Sequence, residues 1–367
     1  MKNDLYDRSS KPVATWIMIG VGMLIVQTIL GGITRLTGSG LSITEWDLMI
    51  GVLPPLNHQQ WLAEFHKYQQ TPQYRLINFD FTLGDFQSIF FWEWFHRLWG
   101  RLIGVAFAIP FVIFLKQRRI RPDMVKPLVI LFLFGALQGA VGWIMVISGL
   151  TGDAIYVKPT KLAMHFMMGC LLISYAFWFG LQLLVPLESL VRNPKLKKLT
   201  WCILVILLIQ LVFGSLMAGH KAAVAAPTWP DINGSFAPAY VFNRPEGWIS
   251  AIENSVVIHF IHRSLAYLIF LLVMAWTVMA VRTPSSAAFA KWRVLPMLLV
   301  SLQLVLGICA VLTSTRIRVA RWNIFEWMAQ LHQLTAILLL LSLVGALFFL
   351  RKKQNANSRV VLEVQPI

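Results

Sequence analysis

The chain has 367 residues, of which 57% are hydrophobic and only 13% are charged. Soluble proteins carry about a quarter charged residues, so the composition excludes an ordinary soluble fold and favours an integral membrane protein. A formal net charge of +16 would suggest a nucleic-acid partner in a soluble protein. Here the basic residues gather in short loops between apolar segments, so membrane topology explains them and no nucleic-acid partner is expected.

Residues 1–12 precede the first apolar run and include two aspartates. This stretch is too short and too acidic for a mitochondrial transit peptide, and the apolar run that follows is too long for a signal-peptide core. We therefore expect a retained first span and a bacterial cell (inner) membrane location.

Eight segments are apolar over the roughly 20 residues that a helix needs to cross a bilayer. In chain order they cover residues 13–33, 92–115, 125–148, 162–185, 199–219, 255–281, 294–313 and 324–350. No alternating ten-residue pattern indicates a membrane β-barrel. The predicted fold class is all-α integral membrane, with eight transmembrane helices.

The cysteines predict no metal or disulfide framework. Cys170, Cys202 and Cys309 each lie within an apolar run, and no two stand at short spacing. We expect them to be small apolar packing residues rather than disulfide or zinc ligands.

Lys and Arg indicate the orientation of the spans. The N-terminus, three alternate connections and the C-terminal tail hold 19 of these residues, against ten on the opposite side. Both termini are therefore expected in the cytoplasm. Arg316, Arg318 and Arg321 fall on the outer side against this rule, either as tolerated exceptions or as an anchor for the carboxylates of a bound cofactor.

Two long outer loops are expected to cap the helix ends. Residues 34–91 contain a predicted interfacial helix with an apolar stripe of Trp61, Phe65 and Tyr68. Residues 220–254 form the weaker counterpart, in which Thr228-Trp229-Pro230-Asp231 echoes Thr44-Glu45-Trp46-Asp47.

Histidines recur at matched positions in the two halves of the chain. His96 and His262 are 166 positions apart, and His165 and His332 are 167 apart. Each lies near the outer start of an even-numbered span. The spacing predicts two tandem four-helix repeats, over residues 1–190 and 191–367.

An intramembrane histidine needs a partner, and imidazole is the usual axial ligand of haem iron. Pairing within each half, His96 with His165 and His262 with His332, predicts two haem sites. Hydrogen bonding of each histidine to a neighbouring helix is the alternative for any one of them.

A second element recurs in the odd-numbered spans. Gln-x-x-x-Gly occurs at Gln27/Gly31, Gln138/Gly142, Gln210/Gly214 and Gln303/Gly307. Residues at i and i+4 share a helix face. The glycine allows close approach of a backbone or a flat ligand, and simple helix packing is the alternative.

The halves differ one turn before the first histidine, where Glu93 in the first half is replaced by His259 in the second. A carboxyl group near a metal site can move protons or steer a substrate, whereas an acid at a helix start can also simply favour the helix dipole. His259 is expected to pack or hydrogen-bond rather than to ligate iron. Arg97 and Arg263, which follow the histidines, are expected either to contact carboxylates or propionates or to snorkel outward.

These residues resemble the haem A synthase family, in its cysteine-free proteobacterial and mitochondrial branch. The similarity lies in the glycine-rich stretch from Gly31 to Ser42, in Trp46, in the element from Glu93 to Arg97, and in the later histidines. It extends from about Gly31 to about His332.

The resemblance implies oxidation of a ring methyl of haem O to a formyl group, which gives haem A for terminal oxidases. It implies a substrate haem held by His96 and His165 with Arg97, a resident haem b held by His262 and His332, and a catalytic Glu93. The expected partners are haem O, the lipid bilayer, an unidentified electron donor, haem O synthase and oxidase assembly proteins, with a homo-oligomer also open.

Two other functions explain some of the same residues. A di-haem b-type electron carrier, linked to quinol, accounts for four histidines but not for the difference between Glu93 and His259. A transporter or assembly factor with structural histidines predicts a colourless protein.

Overall fold

A computed structural model describes residues 2–45, 50–241, 247–316 and 322–351. Eight of its helices are long and apolar enough to cross a membrane. We number them α1 Lys2–Leu36, α2 Leu83–Lys116, α3 Pro122–Leu150, α4 Pro159–Leu184, α5 Pro194–Gly219, α6 Ser255–Val281, α7 Leu295–Thr313 and α8 Ile324–Phe349. The described residues contain no β-strand, so the predicted all-α membrane fold is confirmed.

Short helices lie in the connections. These are α-helices at His58–Gln69, Pro72–Leu76, Ser250–Glu253 and Ala287–Trp292, and 3₁₀ turns at Ile50–Val52, Leu187–Ser189, Ala222–Ala225, Ala239–Val241, Gly247–Ile249 and Ser314–Arg316.

Proline and capping side chains set the starts of the long helices. Pro122, Pro159 and Pro194 stand in the first turns of α3, α4 and α5, where a missing N–H costs nothing. At the start of α2, Thr82 and Asp85 form a capping box. The apolar pattern placed that start at residue 92, because the first turns of α2 lie over the long loop and carry polar residues.

Neighbouring helices run antiparallel. Between α1 and α2, Trp16 Nε1 donates to the Ala106 carbonyl at 2.8 Å, and Thr34 Oγ1 donates to the Trp92 carbonyl at 3.3 Å. We call the end at which α1, α3, α5 and α7 finish the histidine end, because all four predicted histidines lie near it. The other end is the packed end.

The main apolar core fills the packed end. Its largest fully buried side chains include Trp276, Phe289 and Phe348. Trp276 Nε1 donates to Thr200 Oγ1 at 2.8 Å, and Trp292 Nε1 donates to the Ser342 carbonyl at 2.7 Å. These bonds satisfy the indole groups in an apolar interior. Together with the apolar core, they hold the helices together at the packed end.

Helices α1, α4, α5 and α8 lie inside, and α8 is the most buried of the eight. Helices α4 and α5 pack along each other, and α8 contacts α1, α4 and α5. Among the outer helices, α6 packs along α7, whereas α2 and α3 touch only sparsely. We call this loosely packed seam between α2 and α3 the cleft; the stacked rings of Phe107 and Phe132 bridge it, and the corresponding helices α6 and α7 pack more closely.

The contact between α5 and α4 predicts a stability effect. A Cβ on Gly219 would lie 2.7 Å from Cβ and 2.8 Å from Cα of Pro159. Since Pro159 is rigid, Gly219→Ala forces the helices apart, and we expect a loss of about 1–3 kcal/mol. The measurement is the unfolding temperature of the purified protein in detergent. Gly22→Ala is the control, because a Cβ there meets no atom within 4 Å; equal unfolding temperatures would contradict the prediction.

Candidate functional site

A large cavity of about 990 Å³ lies among the helices, and all four predicted histidines line it near the histidine end. Ligand pockets commonly measure about 300–1,000 Å³, so this cavity is at the upper end of that range. Each histidine is half-buried because its ring faces the cavity. The sequence predicted two sites at similar depth; the cavity that joins them was not predicted.

The second pair of histidines has the separation that a bound metal requires. The ring centres of His262 and His332 are 6.3 Å apart, with the rings inclined at 67°. A metal held between two imidazole nitrogens, at about 2 Å from each, separates the ring centres by roughly 6 Å. The predicted pairing of His262 with His332 therefore fits an iron ion between them. His96 and His165 line the same cavity.

The Gln-x-x-x-Gly elements contact these histidines, which sequence reasoning missed. In the first half, Gln27 Nε2 lies 3.3 Å from His96 Nδ1 and donates to the His96 carbonyl at 3.2 Å. Gln138 repeats both contacts, at 3.2 Å from His165 Nδ1 and 3.2 Å from the His165 carbonyl.

In the second half a glutamine again contacts each histidine, but through different atoms. Gln210 Nε2 lies 3.5 Å from His262 Nε2, and Gln303 Nε2 lies 3.1 Å from His332 Nε2. The His332 Nδ1 also contacts the Gln303 backbone carbonyl at 3.1 Å. That carbonyl can only accept, so Nδ1 of His332 carries the proton and Nε2 accepts from the Gln303 amide. A metal bound at Nε2 would take the place of this amide contact.

The glycines of these elements face the imidazole rings. A Cβ would lie nearest to Cε1 of the histidine at each of the four positions, at 2.8 Å on Gly142, 2.9 Å on Gly307, 3.1 Å on Gly31 and 3.3 Å on Gly214. The edge of each imidazole thus contacts the neighbouring helix at a glycine, where any other residue would carry a side chain. The recurrence of i and i+4 was visible in the sequence, but the identity of the partner was not.

Glu93 is almost fully buried and its carboxylate is well bonded. Oε2 accepts from the backbone N–H and hydroxyl of Ser42, both at 2.8 Å, and from the Ile43 N–H at 2.9 Å. Oε1 forms an ion pair with Arg97 Nη2 at 2.5 Å. The carboxylate therefore fastens the end of the glycine-rich loop to α2 at the cavity wall.

Arg97 and Arg263 hold the two long loops. The Arg97 guanidinium donates to the carbonyls of Ile43 and Glu45, at 3.3 and 3.4 Å. Arg263 donates to the carbonyls of Asp231 and Thr228, both at 2.7 Å, and to that of Ala226 at 3.2 Å. The expected carboxylate partner is present for Arg97, while Arg263 is satisfied by backbone oxygens.

The first long loop forms a small aromatic core over the start of α2. Trp61, Phe65 and Tyr68, the predicted apolar stripe, lie on the helix His58–Gln69 and pack against Phe86 and Phe90. The stripe therefore faces α2. Burial raises the pKa of Tyr68 to about 12, which matches its place within this core.

His259 is fully buried and lines the cavity, and neither of its ring nitrogens has a hydrogen-bond partner among the described residues. Arg35 also lines the cavity, and its buried Nε likewise has no hydrogen-bond partner among the described residues. The sequence did not single out this residue. Arg316 is exposed. Arg318, Arg321, Trp46 and Asp47 lie outside the described residues.

The sequence that forms this site is similar to that of known proteins. Residues 14–344 match the family model described as cytochrome oxidase assembly protein. The chain belongs to this family. A "Heme A synthase" of Rhodospirillum centenum is 42% identical over 276 residues, which are 74% of this chain and 73% of that protein. A "Heme A synthase" of Bradyrhizobium sp. (strain ORS 278) is 37% identical over 337 residues, or 91% and 90%.

The part of the chain that matches the cytochrome oxidase assembly family includes every residue that lines the cavity. The matched range begins in α1 and ends in α8, and it includes all four histidines, their glutamines and Glu93. A third relative, from Cereibacter sphaeroides (strain ATCC 17029 / ATH 2.4.9), is named "Heme A synthase" and is 36% identical over 89% of this chain and 85% of its own length. The resemblance noted in the sequence is confirmed, and the protein is a multi-pass membrane protein of a haem-related family.

The bonds of Glu93 predict a local change in dynamics. Glu93→Ala leaves the N–H groups of Ser42 and Ile43 without their acceptor, at about 1–3 kcal/mol for an unsatisfied buried group. Hydrogen–deuterium exchange of residues 38–45 should then be roughly 5- to 150-fold faster. Asp123→Ala, at the packed end, is the control and should leave this segment unchanged. Unchanged exchange in Glu93→Ala would refute the anchoring role.

Proposed function

We propose that this protein is a haem A synthase, which oxidises a ring methyl of haem O to a formyl group and so supplies haem A to terminal oxidases. The observation that carries the proposal is the pair of histidine sites around one cavity, in a chain that matches relatives of that name over most of its length. The cavity is large and lined mainly by residues of membrane-spanning helices, as a lipid-soluble haem requires.

The substrate site is assigned to His96 and His165, and the resident haem b to His262 and His332. The cleft between α2 and α3 supports this assignment, because a substrate that enters from lipid needs an opening at its site. The closer packing of α6 with α7 suits a cofactor that stays bound. A haem b between His262 and His332 would supply a one-electron carrier beside the substrate.

Cationic side chains that line the cavity support binding of an anionic porphyrin. Arg35, Arg97 and Lys221 all line the cavity. Lys221 Nζ also lies 3.6 Å above the Tyr156 ring, which orders its side chain. Haem propionates would be held by such groups. Arg97 is assigned to the substrate site on this basis, with its loop contacts as a second role.

Glu93 is proposed to be essential for turnover. Its carboxylate lines the cavity and joins Ser42, Ile43 and Arg97 into one wall of the substrate site. Its replacement by His259 in the second half is consistent with chemistry in the first half only. A proton-transfer role and the anchoring role both depend on this buried position.

The proposal includes the orientation and partners expected from the sequence. The Lys and Arg distribution supports termini in the cytoplasm and a histidine end at the outer face of the cell membrane. Haem O synthase, oxidase assembly proteins, an electron donor and a second copy of the chain are the proposed contacts. A di-haem b-type carrier is less favoured, because two permanent cofactors do not call for a cleft at one site only.

The function is tested in a bacterial host that makes haem O but lacks haem A. The wild-type protein should yield haem A, and the purified protein should contain haem b together with haem O or haem A. Glu93→Ala and Glu93→Gln should each lose most haem A formation. Two equivalents of haem b and no haem A would support the electron carrier instead, and a colourless protein would exclude both.

The two sites are separated by paired variants in that host. His262→Ala should lose the resident haem b, because the iron loses one of two axial ligands. His96→Ala should keep haem b and mainly lose haem O and haem A. Pigment extraction and chromatography measure both. Loss of haem b in the His96 variant, with haem b retained in the His262 variant, would reverse the assignment.

The cleft predicts a defect in substrate entry. Gly139 on α3 lines the cavity beside the cleft, and a Cβ there meets no atom within 4 Å. Gly139→Leu should obstruct entry at about 1–3 kcal/mol, which lowers haem A formation roughly 5- to 150-fold while haem b remains. Gly22→Leu, on α1 and away from the cavity, is the control. Equal haem A yields from the two variants would argue against entry between α2 and α3.

A further inference from the structure

We propose that the four Gln-x-x-x-Gly elements are positioning residues, each forming a seat that fixes one histidine of the following helix. The glycine sets how far the imidazole stands from the helix, and the glutamine sets its rotation. This inference rests on the proposed function, because haem iron is what the seated histidines would hold.

The glycine part of the seat follows from the close approach of each ring. At Gly142 and Gly307 a Cβ would lie less than 3.0 Å from Cε1 of the histidine, so the ring would have to move. At Gly31 and Gly214 the distances of 3.1 and 3.3 Å would require a smaller adjustment. Ordinary helix packing brings a glycine against a neighbouring backbone or an aliphatic side chain. Here the nearest atom is the same imidazole carbon in all four cases.

The glutamine part follows from the amide groups. In all four seats the amide nitrogen contacts the histidine, while Oε1 is buried and has no hydrogen-bond partner among the described residues. An imidazole that binds iron through one nitrogen carries its proton on the other, and that N–H needs an acceptor. A half-turn of the amide exchanges its oxygen and nitrogen. In the first half the amide lies 3.2–3.4 Å from both ring nitrogens, so the half-turn places Oε1 within reach of whichever nitrogen carries the proton. It does so in exchange for the bond from the amide to the histidine carbonyl.

The two halves use the seat in different ways. His332 already has the Gln303 backbone carbonyl for its Nδ1 proton, so there the glycine contact is the main restraint. His96 and His165 have only the glutamine amide near Nδ1. We therefore expect the glycine to be the main restraint at His332, and the glutamines to matter most for retention of the substrate haem.

The first test compares two glycines of the haem b site. Gly307→Ala should push His332 from its seat and convert part of the haem b from six-coordinate low-spin to high-spin iron. Gly214→Ala, with its wider spacing, should convert a smaller fraction. Absorption and electron paramagnetic resonance spectra of the purified protein measure the spin state. Gly22→Ala on α1, where a Cβ meets no atom within 4 Å, should match the wild type.

The outcomes of this test separate the seat from the function. Fully low-spin haem b in both variants would overturn the seat while leaving a haem A synthase in place. A wild-type protein without pigment would overturn the proposed function as well. A high-spin fraction larger in Gly214→Ala than in Gly307→Ala would also overturn the seat, because the distances predict the opposite order.

The second test uses Gln138 in the haem-O-producing host. Gln138→Met keeps the size of the side chain but removes the acceptor, whereas Gln138→Glu keeps an acceptor oxygen of the same reach. The ratio of haem O plus haem A to haem b in the purified protein should fall roughly 10- to 100-fold in the Met variant. The Glu variant should recover most of it. An unchanged ratio in Gln138→Met, or equal losses in both variants, would overturn the glutamine part of the seat.

Discussion

A polar ring inside a bilayer costs free energy unless another group satisfies it, and this constraint organises the histidine end of the molecule. Each of the four histidines meets a glutamine amide from the preceding helix and lies against the glycine one turn later. The rings are therefore held at the cavity wall by the protein itself. A metal cofactor needs ligands placed in this way, because loose imidazoles would have to be ordered at the moment of binding.

The hollow histidine end depends on the packed end. The apolar core there contains Trp276, Phe289 and Phe348, and its buried indole groups are satisfied by hydrogen bonds from one helix to another. Membrane helices associate through packing and such bonds rather than through a hydrophobic driving force. Because those contacts are concentrated at one end, the helices can diverge at the other and enclose about 990 Å³. This division into a packed end and a hollow histidine end explains how a bundle of helices with little polar surface keeps a cavity open.

The fold was predictable from the sequence because hydropathy alone marks the spans, and six of the eight predicted segments agree with the helices to within five residues at each end. Helix α1 begins 11 residues before the predicted segment, in the polar stretch that precedes the apolar run. The start of α2 was wrong by nine residues, since the capping box of Thr82 and Asp85 lies in polar sequence. The four histidines and the i, i+4 elements were also visible. Their contact was not, because the register between two helices decides it. The sequence likewise singled out Glu93 without revealing its bonds to Ser42 and Ile43, which come from a loop about 50 residues away.

The difference between the halves points to different demands on the two sites. Both loops are held to their helices by the arginine that follows the first histidine. Within the described parts of the two loops, only the first is also held by a buried carboxylate, and the outer helices of the first half pack less closely than those of the second. Under the proposed assignment the first site releases its ligand and cannot rely on it to order its walls, so the protein would supply that order through Glu93 and Arg97. The proposed resident cofactor would contribute the order of the second site itself, where His259 takes the position of the acid.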